Sequence, residues 1–163
     1  MEQKKLRIIN EIEEELEMLE FIETPSKQTI KPPEFSPKQM LESPVLENLD
    51  SILKKLLAAI PEVKAATIVS TEGETIVSAL PEDVDETKVA NMMVPLLSLA
   101  ERAVIEIKRG EFEQIYIRGK EGCLLVLPAG PNAVLSVSTT KDVRLGLIFL
   151  DCKRTTEKIA KLI

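Results

Sequence analysis

Apolar side chains recur at every third or fourth position near the start of the chain, between Lys4 and Ile22. This spacing, with Glu residues dense on the other side, predicts an amphipathic helix within residues 1–23. Residues 24–43 hold four prolines among polar side chains and keep neither a helical nor a strand period, so we predict a linker there. Residues 44–163 regain strong patterning and are long enough for one packed domain.

Residues 44–163 switch between the helical period and the strand period in the order helix, two strands, long helix, three strands and helix. This order predicts an α+β fold, because strands that follow one another directly are joined as antiparallel hairpins. The predicted helices are residues 44–60, 85–110 and 142–163, and the predicted strands are residues 64–70, 75–79, 112–118, 123–127 and 133–138.

Residues with helix-end chemistry stand at the boundaries of these helices. Ser43, Asp85 and Asp142 each have a short polar side chain that accepts hydrogen bonds from first-turn N–H groups, so we expect them as N-caps. Gly110 suits the left-handed position that follows a helix. Gly146 lies inside the last helix, where glycine costs about 1 kcal/mol, so we expect close packing against the sheet at that point.

The long middle helix has more apolar side chains than one buried face requires. One stripe of the predicted helix contains Val89, Met93, Leu96, Ala100 and Val104. Met92, Leu97 and Leu99 fall beyond it, although a core-facing stripe needs a width of only about 100°. We therefore predict burial against a dimer partner, with cover by another part of this chain as the alternative. Pro95 is expected to kink the helix or to shift its register locally.

Composition narrows the chemistry that is available to this chain. It contains no His, which removes the commonest general base and the commonest transition-metal ligand. We therefore expect a protein that is not an enzyme and that has no cofactor and no metal site. Cys123 and Cys152 stand in apolar surroundings without a paired spacing, and we expect both to be buried thiols.

The net charge of −6 is concentrated near the N-terminal end, because residues 1–23 carry eight Glu against three basic side chains. The acidic helix is expected either to be a solvated tail or to dock on its own dimer or on a partner. No basic stripe with interleaved aromatic residues occurs, so we expect no nucleic-acid binding. No apolar run approaches the roughly 18–20 residues of a membrane span, so we expect a cytoplasmic protein without direct membrane insertion.

From Leu46 to Ile163, the order of elements and four motifs together resemble the Roadblock/LC7 domain. The motifs are Val63–Gly73, Gly110–Ile117, Pro128–Val137 and Leu145–Leu147. The first fits the first strand and glycine turn of that family, and the second fits the opening of its third strand. Residues 1–43 fall outside the resemblance and inherit nothing from it.

The resemblance implies a five-stranded antiparallel sheet with the long middle helix on one face and the other two helices on the opposite face. It also implies a homodimer, or a heterodimer with a paralogous Roadblock protein, in which the middle helices pair and the third strands join the two sheets. Proteins of this family act as platforms for small Ras-like GTPases, as regulators of their nucleotide state, or as adaptors in larger complexes.

In that arrangement the third strand lies at an edge of the sheet. Phe112, Gln114 and Tyr116 alternate onto one of its faces, and only Glu113 and Arg118 offer the charge that protects an edge from pairing. We predict that the sheet continues into a second copy through this strand, with a covered or merely exposed edge as the alternative.

The expected dimer interface therefore combines the middle helix with the third strand. Its predicted residues are Val89, Met92, Met93, Leu96, Leu97, Ala100, Val104, Phe112, Gln114 and Tyr116. The function predicted from the resemblance is a dimeric, non-enzymatic scaffold that binds a small Ras-like GTPase and acts on its nucleotide cycle or only positions it. The alternative is a longin- or profilin-like adaptor of a trafficking or motility complex, although longin chains begin with strands rather than with a helix.

Overall fold

A computed structural model describes residues 2–21 and 44–163 of the chain. The chain divides into two compact units, Met1–Ser36 and Pro37–Ile163. The first unit contains helix α1 (Glu2–Phe21), in agreement with the amphipathic pattern. Among the α1 side chains that are described, Leu6, Ile8 and Ile9 are exposed. The predicted linker and the predicted cap at Ser43 lie outside the described residues.

The second unit contains a five-stranded antiparallel sheet and three helices, as the sequence predicts. The elements are α2 (Pro44–Ala59), β1 (Val63–Ser70), β2 (Thr75–Ala79), α3 (Glu86–Glu106), β3 (Ile115–Arg118), β4 (Gly122–Pro128), β5 (Ala133–Thr140) and α4 (Leu145–Ala160). The strand order across the sheet is β2-β1-β5-β4-β3, so β5 is central and β2 and β3 form the edges.

Alternation of side chains along the strands sends apolar residues to both faces of the sheet. On β5, Leu135 and Val137 pack with α2 and α4, whereas Val134, which precedes Leu135 and points to the other face, packs with α3. The central strands are therefore buried on both faces, which explains why β5 reads as a nearly continuous run of buried residues.

The two faces are covered unequally. Helices α2 and α4 enclose the larger core, which includes Leu53 of α2 and Ile148 of α4. Within residues 44–163, helix α3 alone covers the opposite face, where a smaller apolar cluster lies beside two buried hydroxyl residues, Thr67 and Ser136. The predicted arrangement of one helix on one face and two helices on the other is confirmed.

Two helix boundaries differ from the sequence prediction. Helix α3 ends at Glu106 rather than at Gly110, because Lys108 already adopts a left-handed backbone with φ of 55°. Helix α4 begins at Leu145, and Arg144 rather than Asp142 holds the N-cap position without a side-chain cap hydrogen bond. The prediction for Asp142 is wrong because β5 continues to Thr140 and the chain turns after it.

Gly146 is not at a close packing contact. A Cβ atom built on Gly146 meets nothing within 4 Å, so the expectation of close packing against the sheet is wrong. The close approach occurs instead at Gly122, where a Cβ atom would lie 2.2 Å from the carbonyl oxygen of Thr139 on the neighbouring strand. Glycine is therefore required at the start of β4 for strand pairing, whereas in α4 it only lowers helix propensity.

Both cysteines are free and buried, as predicted. Cys152 lies in the larger core between α4 and the sheet and is completely inaccessible. Burial, with a smaller contribution from the carboxylate of Asp151, raises the pKa of the Cys152 thiol from 9.0 to about 12. The folded protein therefore keeps this thiol protonated at a pH where the unfolded chain ionises it.

The core and surface sides of α4 offer a matched test of this packing. Ile148 is fully buried, whereas the neighbouring Leu147 is 54% exposed. We expect Ile148→Ala to lower the free energy of unfolding by about 2–5 kcal/mol because it leaves a cavity. Leu147→Ala should change it by less than about 0.5 kcal/mol. Urea unfolding at one protein concentration measures both, and equal losses would contradict the described packing.

The Cys152 thiol should make stability fall at alkaline pH. The contribution of the protonated thiol to the free energy of unfolding is fully present below the unfolded-state pKa of 9.0. It is lost as pH rises towards the folded-state pKa of about 12. Between pH 8 and pH 10.5, the free energy of unfolding of the wild-type protein should fall by roughly 2 kcal/mol more than that of the Cys152→Ala variant. Urea unfolding across this pH range measures the difference, and identical pH profiles for the two proteins would contradict it.

Candidate interaction surface

Helix α3 has a well-defined start and continues as one helix through Pro95. The carboxylate of Asp85 accepts a hydrogen bond from the backbone N–H of Lys88 at 3.2 Å, which confirms the predicted N-cap. Glu86 adds a negative charge in the first turn, where the helix dipole favours it. Pro95 is exposed within the helix. The start of α3 is thus fixed by its own cap.

The buried row of α3 consists of Ala90, Met93 and Leu97. These residues are spaced by three and four positions, so they lie on one side of the helix, and they pack against side chains of β1, β4 and β5. Leu97 therefore belongs to the inner row, whereas the sequence pattern assigned it to the surplus outside that row. Met93 and Leu97 are 2% and 8% exposed, so neither is available to a partner.

A second apolar row of α3 faces away from the core. Met92 is 56% exposed and Leu99 is 65% exposed, and their separation in sequence corresponds to about two helical turns. We call Met92 and Leu99 the α3 outer row. Four of the predicted interface residues are half-buried and lie between the inner and outer rows or beside them: Val89, Leu96, Ala100 and Val104.

Strand β3 forms an unprotected edge of the sheet. It pairs with β4, and in the described part of the chain no strand pairs with its other side. Its Tyr116 and Ile117 are 36% and 42% exposed and point to opposite faces of the sheet. An edge of this kind presents unpaired backbone donors and acceptors to any strand that approaches it.

Tyr116 is held in place although it stands at the edge. Its ring contacts Phe149 of α4 edge to face, with ring centroids 5.9 Å apart, and its hydroxyl lies 3.2 Å from the Cys123 sulfur. The hydrogen bond to Cys123, followed by partial burial, raises the pKa of Tyr116 above its ordinary value. These contacts hold the Tyr116 ring against α4 and join β3 to the neighbouring strand β4.

Phe112 and Gln114 lie outside strand β3, and Phe112 does not share a face of the sheet with Tyr116. Residues 112–114 lie before the strand, which begins at Ile115 rather than at Phe112. Phe112 packs into the cluster beneath α3, whereas Tyr116 contacts α4 on the opposite face. The predicted alternation fails because the loop lets Phe112 reach the core from outside the sheet. Gln114 is half-buried and lines a small cleft of about 210 Å³ with Glu113.

The described residues offer this surface little other chemistry. Among the side chains that the structure describes, no group of three or more metal-ligating residues comes together. The helices that the structure describes are each too short or too polar to cross a bilayer. What distinguishes this side of the protein is the α3 outer row together with the β3 edge.

Comparisons with known proteins identify the family. The family model of the Roadblock/LC7 domain matches residues 49–139. The uncharacterized protein MJ1340 of Methanocaldococcus jannaschii is 39% identical over 97 residues, which is 60% of this chain and 84% of that protein. A second protein of that organism, MJ0310, is 38% identical over the same shares of both chains.

Solved structures share the fold. MglB of Myxococcus xanthus superposes with a TM-score of 0.67 at 21% identity, covering 74% of this chain and 94% of that one. The gliding protein MglB of Thermus thermophilus gives a TM-score of 0.65 at 17% identity, covering 74% and 91%. The family match spans α2 to β5 and more than half of the chain, and the whole fold agrees with it. The chain therefore belongs to the Roadblock/LC7 domain family.

Proposed function

We propose that this protein is a dimeric scaffold, without catalytic activity of its own, that binds a small Ras-like GTPase. The observation that carries the proposal is the α3 outer row beside an unpaired β3 edge. Two exposed apolar side chains on one side of a helix, next to a bare strand, form the kind of surface that a second copy can cover. In a two-fold dimer each copy offers the same surface to the other.

The energetics favour self-association through this surface. Complete burial of a Leu or Met side chain stabilises by about 1.5–3 kcal/mol, and a symmetric interface counts each residue twice. Joining the two β3 edges would also pair backbone groups that are otherwise hydrated. The interface that we propose retains Val89, Met92, Leu96, Ala100, Val104 and Tyr116 from the sequence prediction and adds Leu99 and Ile117. Met93, Leu97 and Phe112 support it from within each copy.

The GTPase part of the proposal rests on family membership. Members of the family serve as platforms or regulators for small Ras-like GTPases. In our proposal, a composite face made by both copies binds the GTPase in one nucleotide state better than in the other. Such a difference in affinity shifts the conformational equilibrium of the GTPase without any catalytic side chain from the scaffold. One structurally similar protein, MglB, is described in a tetrameric arrangement, which is consistent with self-association.

A charge in the α3 outer row should dissociate the dimer. We expect Leu99→Glu to shift the solution mass from twice the chain's 18.1 kDa towards the single chain, because burying the carboxylate between copies is unfavourable. Ile105→Glu is the matched control: Ile105 is 67% exposed on the same helix but points about 120° away. Sedimentation equilibrium measures the mass. A monomeric wild-type protein, or an equal effect of both substitutions, would overturn the proposed interface.

The GTPase proposal is tested by nucleotide-dependent retention. Immobilised full-length protein is incubated with Ras-like GTPases of the same cell, loaded either with GDP or with a non-hydrolysable GTP analogue. We expect one nucleotide state to be retained at least about tenfold more strongly than the other. Leu99→Glu should lose this retention because the binding face is composite, whereas Ile105→Glu should keep it.

The proposed dimer interface and the proposed GTPase partner can be contradicted separately. A dimeric wild-type protein that retains no Ras-like GTPase in either nucleotide state would contradict the partner and leave the interface standing. Equal retention by wild-type protein and by a monomeric Leu99→Glu variant would show that one copy is sufficient, against a composite face.

A further inference from the structure

The two helices on the larger-core side leave a solvent-open cleft between them. Helices α2 and α4 pack side by side, and the cleft between their outer surfaces has a volume of about 450 Å³. Ile52, Leu56 and Ala59 of α2 give it an apolar floor. Ile52 is half-buried and Ala59 is exposed, so part of this apolar surface is in contact with water.

The rim of the α2–α4 cleft is cationic. Lys55, Arg154 and Lys158 all line it and are all exposed, and Asp151 is the one carboxylate in the lining. Arg154 is 3.9 Å from Asp151, at the limit of an ion pair. Within the described ranges, neither Lys55 nor Lys158 has a carboxylate at ion-pair distance. The cleft thus presents unneutralised ammonium groups in a chain whose net charge is −6.

We propose that the α2–α4 cleft binds an acidic amphipathic helix of a partner protein. An apolar floor between cationic rims complements a helix that has an apolar stripe flanked by Glu or Asp, the arrangement used in helix-in-groove recognition. Helices α2 and α4 have 16 residues each, a length of about 24 Å. A bound helix of three to four turns would lie along them with its apolar stripe on Ile52 and Ala59, above the buried Leu56.

Leu147 extends the apolar part of this surface along α4. It precedes Asp151 by four residues and Arg154 by seven, so it lies on the same side of the helix as the residues that line the cleft. Its side chain is 54% exposed, although Leu in a helix is ordinarily turned inward when core space is available. An apolar position beyond the end of the cleft provides a further contact for a bound helix.

A protein helix fits this surface better than an anionic membrane does. Lipid-binding patches gather roughly four to eight Lys or Arg side chains on an accessible face. The cleft has three, which is below that range. The apolar floor is also concave, and it accommodates side chains that project from a narrow rod more readily than a flat bilayer surface.

The α2–α4 cleft is separate from the surface in the proposed dimer. It lies on the face of the sheet opposite α3, so it stays accessible whether or not a second copy covers the α3 outer row. An acidic helix and a GTPase would then bind one scaffold at different places, and loss of one would not require loss of the other.

An unbiased selection tests this proposal. A displayed library of 14-residue peptides is selected for binding to the full-length protein. Each peptide has Leu at positions i, i+3, i+7 and i+10, and its remaining positions vary among Glu, Asp, Lys, Arg, Gln and Ala. We expect enriched peptides to be net acidic. Their dissociation constants, measured by fluorescence anisotropy, should rise at least about tenfold with the double substitution Lys55→Glu and Lys158→Glu.

Matched variants separate the cleft from general charge effects and from the dimer. Lys64→Glu with Lys141→Glu makes the same change in net charge at exposed positions outside the cleft and should leave affinity within about twofold. Leu147→Ser should weaken binding, whereas Leu99→Glu should not, even where it dissociates the dimer.

Several outcomes would overturn the proposal. These are the absence of any enriched peptide, enrichment of basic peptides, or equal affinity of the enriched peptides for wild-type protein and the cleft double variant. Sedimentation with vesicles containing phosphatidylserine provides a further arm. Vesicle binding that is lost in the cleft double variant, without peptide binding, would assign the surface to a membrane instead.

Discussion

The central strands of this five-stranded antiparallel sheet carry apolar side chains on both faces, and residues 44–163 supply two helices for one face and one helix for the other. Helices α2 and α4 complete a continuous apolar layer with β1, β4 and β5. Helix α3 has to cover the opposite face alone, and only its Ala90, Met93 and Leu97 become fully buried. A helix that is apolar over more than one face cannot satisfy all of that surface against a single sheet, so Met92 and Leu99 remain in water.

The same asymmetry divides the outside of the protein into two surfaces with different chemistry. Beside α3 and β3 the exposed groups are apolar side chains and unpaired backbone, which suit a second copy of the same chain. Between α2 and α4 the exposed groups are an apolar floor and cations, which suit an oppositely charged partner. In our proposals, the sheet separates self-association on one side from recognition of an acidic helix on the other, as a scaffold requires.

Sequence patterns predicted the element order and the Asp85 cap, because each follows from local periodicity or from a single side chain, whereas the five-stranded sheet was implied by the family resemblance. They did not identify the inner row of α3, since several overlapping stripes were equally apolar and only the sheet selects Leu97. The spacing of Phe112 and Tyr116 is typical of a strand, but Phe112 lies before β3 and packs beneath α3. The sequence did not predict the α2–α4 cleft, because its apolar floor and its cations come from helices that are distant in sequence. Lys55 and Lys158 look like ordinary surface lysines of their own helices, so neither indicated a shared site.

Amide hydrogen exchange of β3 tests the central claim most directly, because it reports whether the unpaired edge becomes paired. Exchange is followed for residues 115–118 and for the outer turns of α3 over about a hundredfold range of protein concentration. Our account predicts that exchange of both segments slows together as concentration rises, and by a larger factor than exchange in the already paired β5. Exchange of β3 and α3 that does not depend on concentration, in a protein whose mass stays that of one chain, would contradict it.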